Sequence, residues 1–154
     1  MSDSDTFWEW SLQRWDESTF RDACLHWQQL GGEVNLLLFA IWQGERGLQW
    51  DEAYVMQLLS QSRYWREELL QPVRTLRAAI KTEPGPGPEY EQAKALELQL
   101  ERRFQAKLCA MTPGAAGAED RWPVRRNIEL LGRCSGVSPQ LSDAAWLEAL
   151  QLSR

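Results

Sequence analysis

The run Val34-Asn35-Leu36-Leu37-Leu38-Phe39-Ala40-Ile41-Trp42 leaves this chain few ways to fold. It is far too short for a bilayer span, which needs about 20 apolar residues. Its apolar side chains fall on every side of a helix, and such a helix must be enclosed by others. The segment Glu33–Gln43 is therefore expected as the central helix of a bundle, ended by Gly44 and Gly47. Asn35 is the polar exception. In the first turn its amide can reach backbone groups of the preceding turn or a polar side chain such as Gln28. The alternative is contact with a ligand.

The rest of the chain supplies the surrounding helices. Helical spacing recurs, with no Asn-Gly or Asp-Gly turn and no sustained alternation. A first helix from Ser4 or Asp5 places Phe7, Trp8, Ser11, Leu12 and Trp15 on one face. A second, with Thr19 as N-cap and Asp22 three residues on, carries Phe20, Ala23, Cys24, Trp27 and Leu30 inward and stops at Gly31-Gly32. Asp51 caps a fourth helix, with Tyr54, Val55, Leu58 and Leu59 facing in. A fifth covers Ser62–Lys81, with a kink or break at Pro72. Tyr90–Met111 forms a long helix with the stripe Ala93, Leu96, Leu100, Phe104, Leu108 and Met111.

The expected fold is all-α. Residues 1–111 form a helical bundle domain around the central helix, with a flexible Pro/Gly loop at 82–88. A flexible linker covers 112–121. A short C-terminal helical tail, 122–154, packs on or beside the bundle. Its first helix begins at Pro123 with Val124, Ile128 and Leu131 on one face. Its last starts at Ser138-Pro139 and carries Leu141, Trp146, Leu147 and Leu150.

Composition narrows the function classes. The net charge is −5, from 17 basic and 22 acidic residues, which argues against nonspecific nucleic-acid binding. The N-terminus "MSDSDTFWEW" lacks the basic and apolar regions of a signal peptide, so no membrane association is expected. Cys24, Cys109 and Cys134 lie far apart without CxxC spacing, pointing to reduced thiols in the cytoplasm. The one histidine, His26, cannot build a His-rich metal site, and it has Ala23 rather than a glutamate at i−3. No nucleophile elbow, phosphate loop or dinucleotide fingerprint occurs, so no catalytic residue, metal or cofactor is assigned.

Four stretches, "FWEWSLQRW", "ACLHWQQLGGEVNLLLFAIW", "YWREELLQPVRTLRAAIK" and "ELQLERRFQAKL", together resemble a family of small proteobacterial proteins defined as a domain of unknown function. The resemblance runs from Phe7 to Leu108. It implies a bacterial, cytoplasmic, helical protein and supplies no activity. His26-Trp27-Gln28-Gln29 departs from the family's tendency to an acidic residue after the glutamine. Residues after Thr112 match no pattern in that family.

Two constellations could carry function. If Ser62–Lys81 stays helical through Pro72, then Arg63, Arg66, Arg74, Arg77 and Lys81 share one face. Such a stripe suits a phosphate, a carboxylate or an acidic partner surface. Equally, Glu67 and Glu68 can pair with these arginines on an ordinary solvated face. The second constellation lies on the long helix. Glu97 falls inside the apolar stripe with Glu101 one turn on, so it must find a cation or titrate abnormally. Arg74 and Arg77 are the natural partners, either as a salt bridge setting helix register or as one side of a polar pocket that includes Gln28 and Asn35.

Nine tryptophans imply an aromatic core or a gripping surface. Trp10, Trp50 and Trp65 fit least easily inside and are candidate anchors for a protein partner. The leading expectation is a small cytoplasmic, non-catalytic adaptor that binds another macromolecule through the Arg63–Lys81 face. The alternative is a small anionic ligand held between helices by Arg74, Arg77, Lys81 and Glu97.

Overall fold

Ser2 and Asp5 close a capping box at the start of α1 (Asp3–Trp15), slightly earlier than the spacing of its apolar side chains suggests. The computed structural model describes residues 1–111, 116–117, 123–137 and 144–151. α2 (Ser18–Gln29) begins with Glu17 at the N-cap, so Thr19 lies inside the first turn and does not cap it. The chain then turns at Gly31, whose φ of 95° suits glycine. Gly32 follows because a Cβ there would lie 2.1 Å from Trp27 Nε1.

α3 (Val34–Glu45) is buried from Val34 to Gly44. Gly44 does not end it, contrary to expectation. It lies inside the helix, where a Cβ would come 2.5 Å from Val124 Cα. The helix ends just before Gly47, which takes φ 82°. After β1 (Leu48–Gln49), Asp51 accepts a hydrogen bond from Tyr54 N at 2.7 Å and starts α4 (Glu52–Tyr64).

Pro72 does not break the next segment. A π-helical stretch, Trp65–Leu70, joins α4 directly to α5 (Gln71–Lys81). Proline has no N–H to donate back along the helix, and its ring crowds the carbonyl four residues earlier. A wide turn, in which Gln71 N donates to Arg66 O, relieves that crowding while keeping the helix continuous.

α6 (Pro88–Ala110) packs against α1 and α5. Its buried face keeps most of the expected stripe, with Leu100 and Met111 half-buried against the core, and departs from it at Leu96. Ala93, Phe104, Gln105 and Leu108 are buried, while Leu96 and Leu98 are exposed. Similarly, Leu12 on α1 and Leu30 after α2 face solvent.

The remaining elements complete the bundle. β2 (Ala116–Gly117) pairs antiparallel with β1, the one described part of the 112–121 linker. α7 (Pro123–Ser135) packs along α3, and α8 (Ala144–Gln151) packs on α2. These C-terminal helices are not appended to a finished core. Val124, Ile128 and Leu131 belong to the same apolar cluster as Phe39 and Ile41, and Trp146 stacks on Trp27 at 5.6 Å. A central helix apolar all round needs a cover on that side too. The expected helix start at Ser138-Pro139 and Leu141 lie outside the described residues. The architecture is an all-α bundle. Among the described residues no helix is long and apolar enough to cross a membrane.

Candidate functional site

The polar centre of the bundle begins with Glu33, the N-cap of α3. Its carboxylate takes two hydrogen bonds from Arg74 on α5, at 2.9 and 3.1 Å. Arg74 also reaches Glu101 at 3.0 Å and lies 4.0 Å from Glu97, both on α6. Arg77 Nε donates to Glu97 Oε1. Burial by itself would lower the pKa of the Arg74 guanidinium. The bonds and charges of Glu33 and Glu101 outweigh it and hold the group above its ordinary value. Glu101 moves the other way from most paired carboxylates. Burial raises its pKa, and Arg74 only partly compensates.

A second set of bonds grows from the same glutamate. Asn35 Nδ2 donates to Glu33 Oε1 at 3.2 Å. Gln105 Nε2 donates to Asn35 Oδ1 and to Ser11 Oγ, each at 3.1 Å. Asn35 is thus satisfied by protein groups, Glu33 and Gln105, rather than by Gln28. Gln105 Oε1 is buried with no hydrogen-bond partner among the described residues.

Arg74 separates two cavities. The smaller, about 280 Å³, lies between α1, α2, α3, α5 and α6. Arg74, Arg77, Glu97, Glu101, Asn35 and Gln105 form its polar walls, and Trp8, Leu12, Trp15, Leu25 and Leu98 its apolar side. Gln28 borders both cavities. The larger, about 640 Å³, opens between α2, the α4–α5 segment and α7, with Arg63, Arg66, Arg74, Trp27, Gln71 and Ser135 among its lining residues. A volume of that size is typical of small-molecule sites.

The arginine stripe is therefore not a single face. The π stretch between Arg63 and Arg74 changes the helical phase that a uniform α-helix would keep. Arg63 pairs with Glu67 at 3.0 Å on the exposed surface. Arg66 donates to Ser62 Oγ at 3.0 Å and to Leu59 O at 2.7 Å, and makes no ion pair among the described residues. Arg74 and Arg77 are engaged by carboxylates. Lys81 is exposed at the end of α5 and borders neither cavity.

The three tryptophans separate as well. Trp50 cannot act as a surface anchor, because it is 1% exposed. Its indole donates to Gln43 Oε1 at 2.9 Å, and its backbone N–H donates to Asn127 Oδ1 at 2.8 Å. Trp10 is half-buried, bonded to Glu45 and covered by Arg14. Trp65 stacks on Phe104 with Arg103 and Lys107 over its ring.

Glu33, Gln105 and Ser11 were not expected as site residues from the sequence. Glu33 directly follows Gly31-Gly32 and precedes an apolar helix, an N-cap position. Gln105 sits one turn beyond Glu101 on the face that Glu97 and Glu101 define. That polar i,i+4 series was the readable signal.

No curated protein and no solved structure matches the chain. One family does, over residues 6–108, which span α1 to α6 and most of both cavity walls. That family carries the description "Protein of unknown function (DUF2390)", and the chain belongs to it.

Proposed function

We propose that this is a non-catalytic binding protein of the bacterial cytoplasm that takes a small anionic ligand in its larger cavity. Arg66 carries the reading. Two neutral acceptors hold its guanidinium half-buried at the cavity wall, and no carboxylate among the described residues neutralises it. Trp27 supports it, because its buried indole N–H has no acceptor among the described residues and Trp27 lines the same cavity. An anion would neutralise Arg66, and charge-assisted bonds are the stronger kind. Cys24, Cys109 and Cys134 are thiols rather than disulfides, which suits a reducing compartment.

The reading shifts the anion away from Arg77, Lys81 and Glu97. Arg77 is paired and Lys81 is remote from both cavities.

A macromolecular partner is the second reading. Its support is Trp65, with Arg103 and Lys107 over the ring and Tyr64 beside it 61% exposed.

A thermal-shift panel of carboxylates and phosphates tests the first reading. A binder should raise Tm, and Arg66→Gln should weaken it by about tenfold or more. Binding that survives Arg66→Gln and Trp27→Phe unchanged excludes this cavity. The second reading requires that Trp65→Ala/Tyr64→Ala abolish capture of a specific protein that Arg66→Gln still captures.

A further inference from the structure

The smaller cavity has a different chemistry, and its polarity can be deduced group by group. Glu33, as a carboxylate paired with Arg74, can only accept. Asn35 must therefore turn its NH2 toward Glu33, which leaves Oδ1 facing Gln105. Gln105 must then turn its own NH2 toward Asn35 and Ser11. Its Oε1 is left as an acceptor without a donor among the described residues, in a side chain 1% exposed that forms part of the cavity wall. A buried acceptor left unmade costs about 1–3 kcal/mol, so the site favours whatever brings a donor.

Charge narrows the donor. The buried cluster sets two guanidiniums, Arg74 and Arg77, against three carboxylates, Glu33, Glu97 and Glu101. The excess is negative. Glu101 lines the cavity one helical turn from Gln105, so the two side chains are neighbours. The other wall is apolar, and its rim residues Leu12 and Leu98 are 47% and 51% exposed. Exposed leucines above a buried polar floor describe a cleft for an amphipathic molecule.

We infer that this cavity binds a primary ammonium carried on a short apolar body. The ammonium donates to Gln105 Oε1 and to the Glu101 carboxylate, and the body lies against Trp8, Leu12, Trp15 and Leu98. An ammonium has three donors and no acceptor, so it suits a floor whose open groups are acceptors. The raised pKa of Glu101 agrees with a carboxylate short of cationic compensation.

The test uses the full chain with three probes of equal length: n-hexylammonium, n-hexanol and hexanoate. Binding is read by calorimetry and by tryptophan fluorescence at neutral pH. The ammonium should bind, the alcohol more weakly by about tenfold, and hexanoate not at all. Glu101→Gln should weaken the ammonium by about tenfold and leave the alcohol nearly unchanged. Leu98→Arg, at an exposed rim position where folding is not at risk, should weaken the ammonium through like charge. Arg66→Gln should leave it untouched, which separates this site from the anion cavity. The inference is overturned if hexanoate binds as well as the ammonium, or if no probe binds and the cavity holds solvent alone. It is equally overturned if the ammonium binds Glu101→Gln or, should that variant not fold, Leu98→Arg as it binds the wild type.

Discussion

Gln105 Nε2 donates to Asn35 Oδ1 at 3.1 Å, and the direction of that bond is imposed by Glu33. The two amides come from α6 and α3, and only one orientation of each suits an acceptor at the head of the chain. The relationship makes Asn35 a polarity element as well as a polar residue in an apolar helix.

Asn35→Asp and Asn35→Ala separate those roles. Alanine removes the bridge but leaves Gln105 bonded to Ser11, a loss of about 1–3 kcal/mol. Aspartate sets a second carboxylate beside Glu33 and should be worse, about 3–5 kcal/mol, as for a buried charge without a partner. Urea denaturation at neutral pH measures both, and alanine proving the more damaging would remove the polarity account. Acidification should narrow the gap, because the carboxyl introduced by Asn35→Asp regains a donor once it is protonated.

Arg74 is the cation shared by three carboxylates. Arg74→Met keeps much of the volume and leaves Glu33, Glu97 and Glu101 facing one another. A loss of about 3–5 kcal/mol is expected in chemical denaturation. Adding Glu33→Gln and Glu101→Gln should return part of it. If the triple variant is no more stable than Arg74→Met, the loss came from packing rather than charge.

Glu101 makes a pH prediction with a definite sign. Its folded pKa is raised by burial above the ordinary 4.5, so the folded protein binds that proton more readily than the unfolded chain. The group therefore adds stability as pH falls through its raised pKa toward 4.5, and detracts above it. Relative to Glu101→Gln, the wild type should gain stability as pH falls toward 4.5 in paired denaturation curves. A gap that widens against the wild type on acidification would mean the pKa is lowered instead.

Gly44 marks a close approach of α7 to α3. A Cβ there would meet Val124 Cα at 2.5 Å and its backbone N at 2.6 Å. Backbone atoms cannot move aside as a flexible side chain can, so Gly44→Ala should destabilise by about 1–3 kcal/mol or more. Glycine-to-alanine changes in an exposed helix usually stabilise, so a rise in Tm would show that α7 does not press on α3 there.

Local signals carried much of the fold. The apolar run at Leu36–Trp42, the cap at Asp51, the inward faces of α2 and α4 and the turn at Gly31-Gly32 were all legible. Each depends on residues within a turn or two of one another. Of the site, Arg74, Arg77, Glu97, Glu101, Gln28 and Asn35 were named from spacing, and all six border the smaller cavity. The pairing of Arg74 and Arg77 with Glu97 also followed, since a buried carboxylate requires a cation.

Long-range packing settled the rest. α6 carries two plausible inner stripes, one through Leu96 and Leu100 and one through Glu97, Glu101 and Gln105. Arg74, Arg77 and Asn35, arriving from other helices, drew the polar stripe in beside the apolar one, so that Leu100 stays against the core while Leu96 is left outside. Glu33 meets Arg74 across 41 residues, a distance no periodicity reports. The response to Pro72 was likewise open, because a kink, a break and a wide turn all relieve the same clash. The wide turn divided one expected row of arginines between a solvated pair, an unneutralised anchor and a buried ionic cluster. Amino-acid pattern specifies which faces can be buried. Which face is buried, and the sign of the charge left over at the site, follow from the partner each face finds across the bundle.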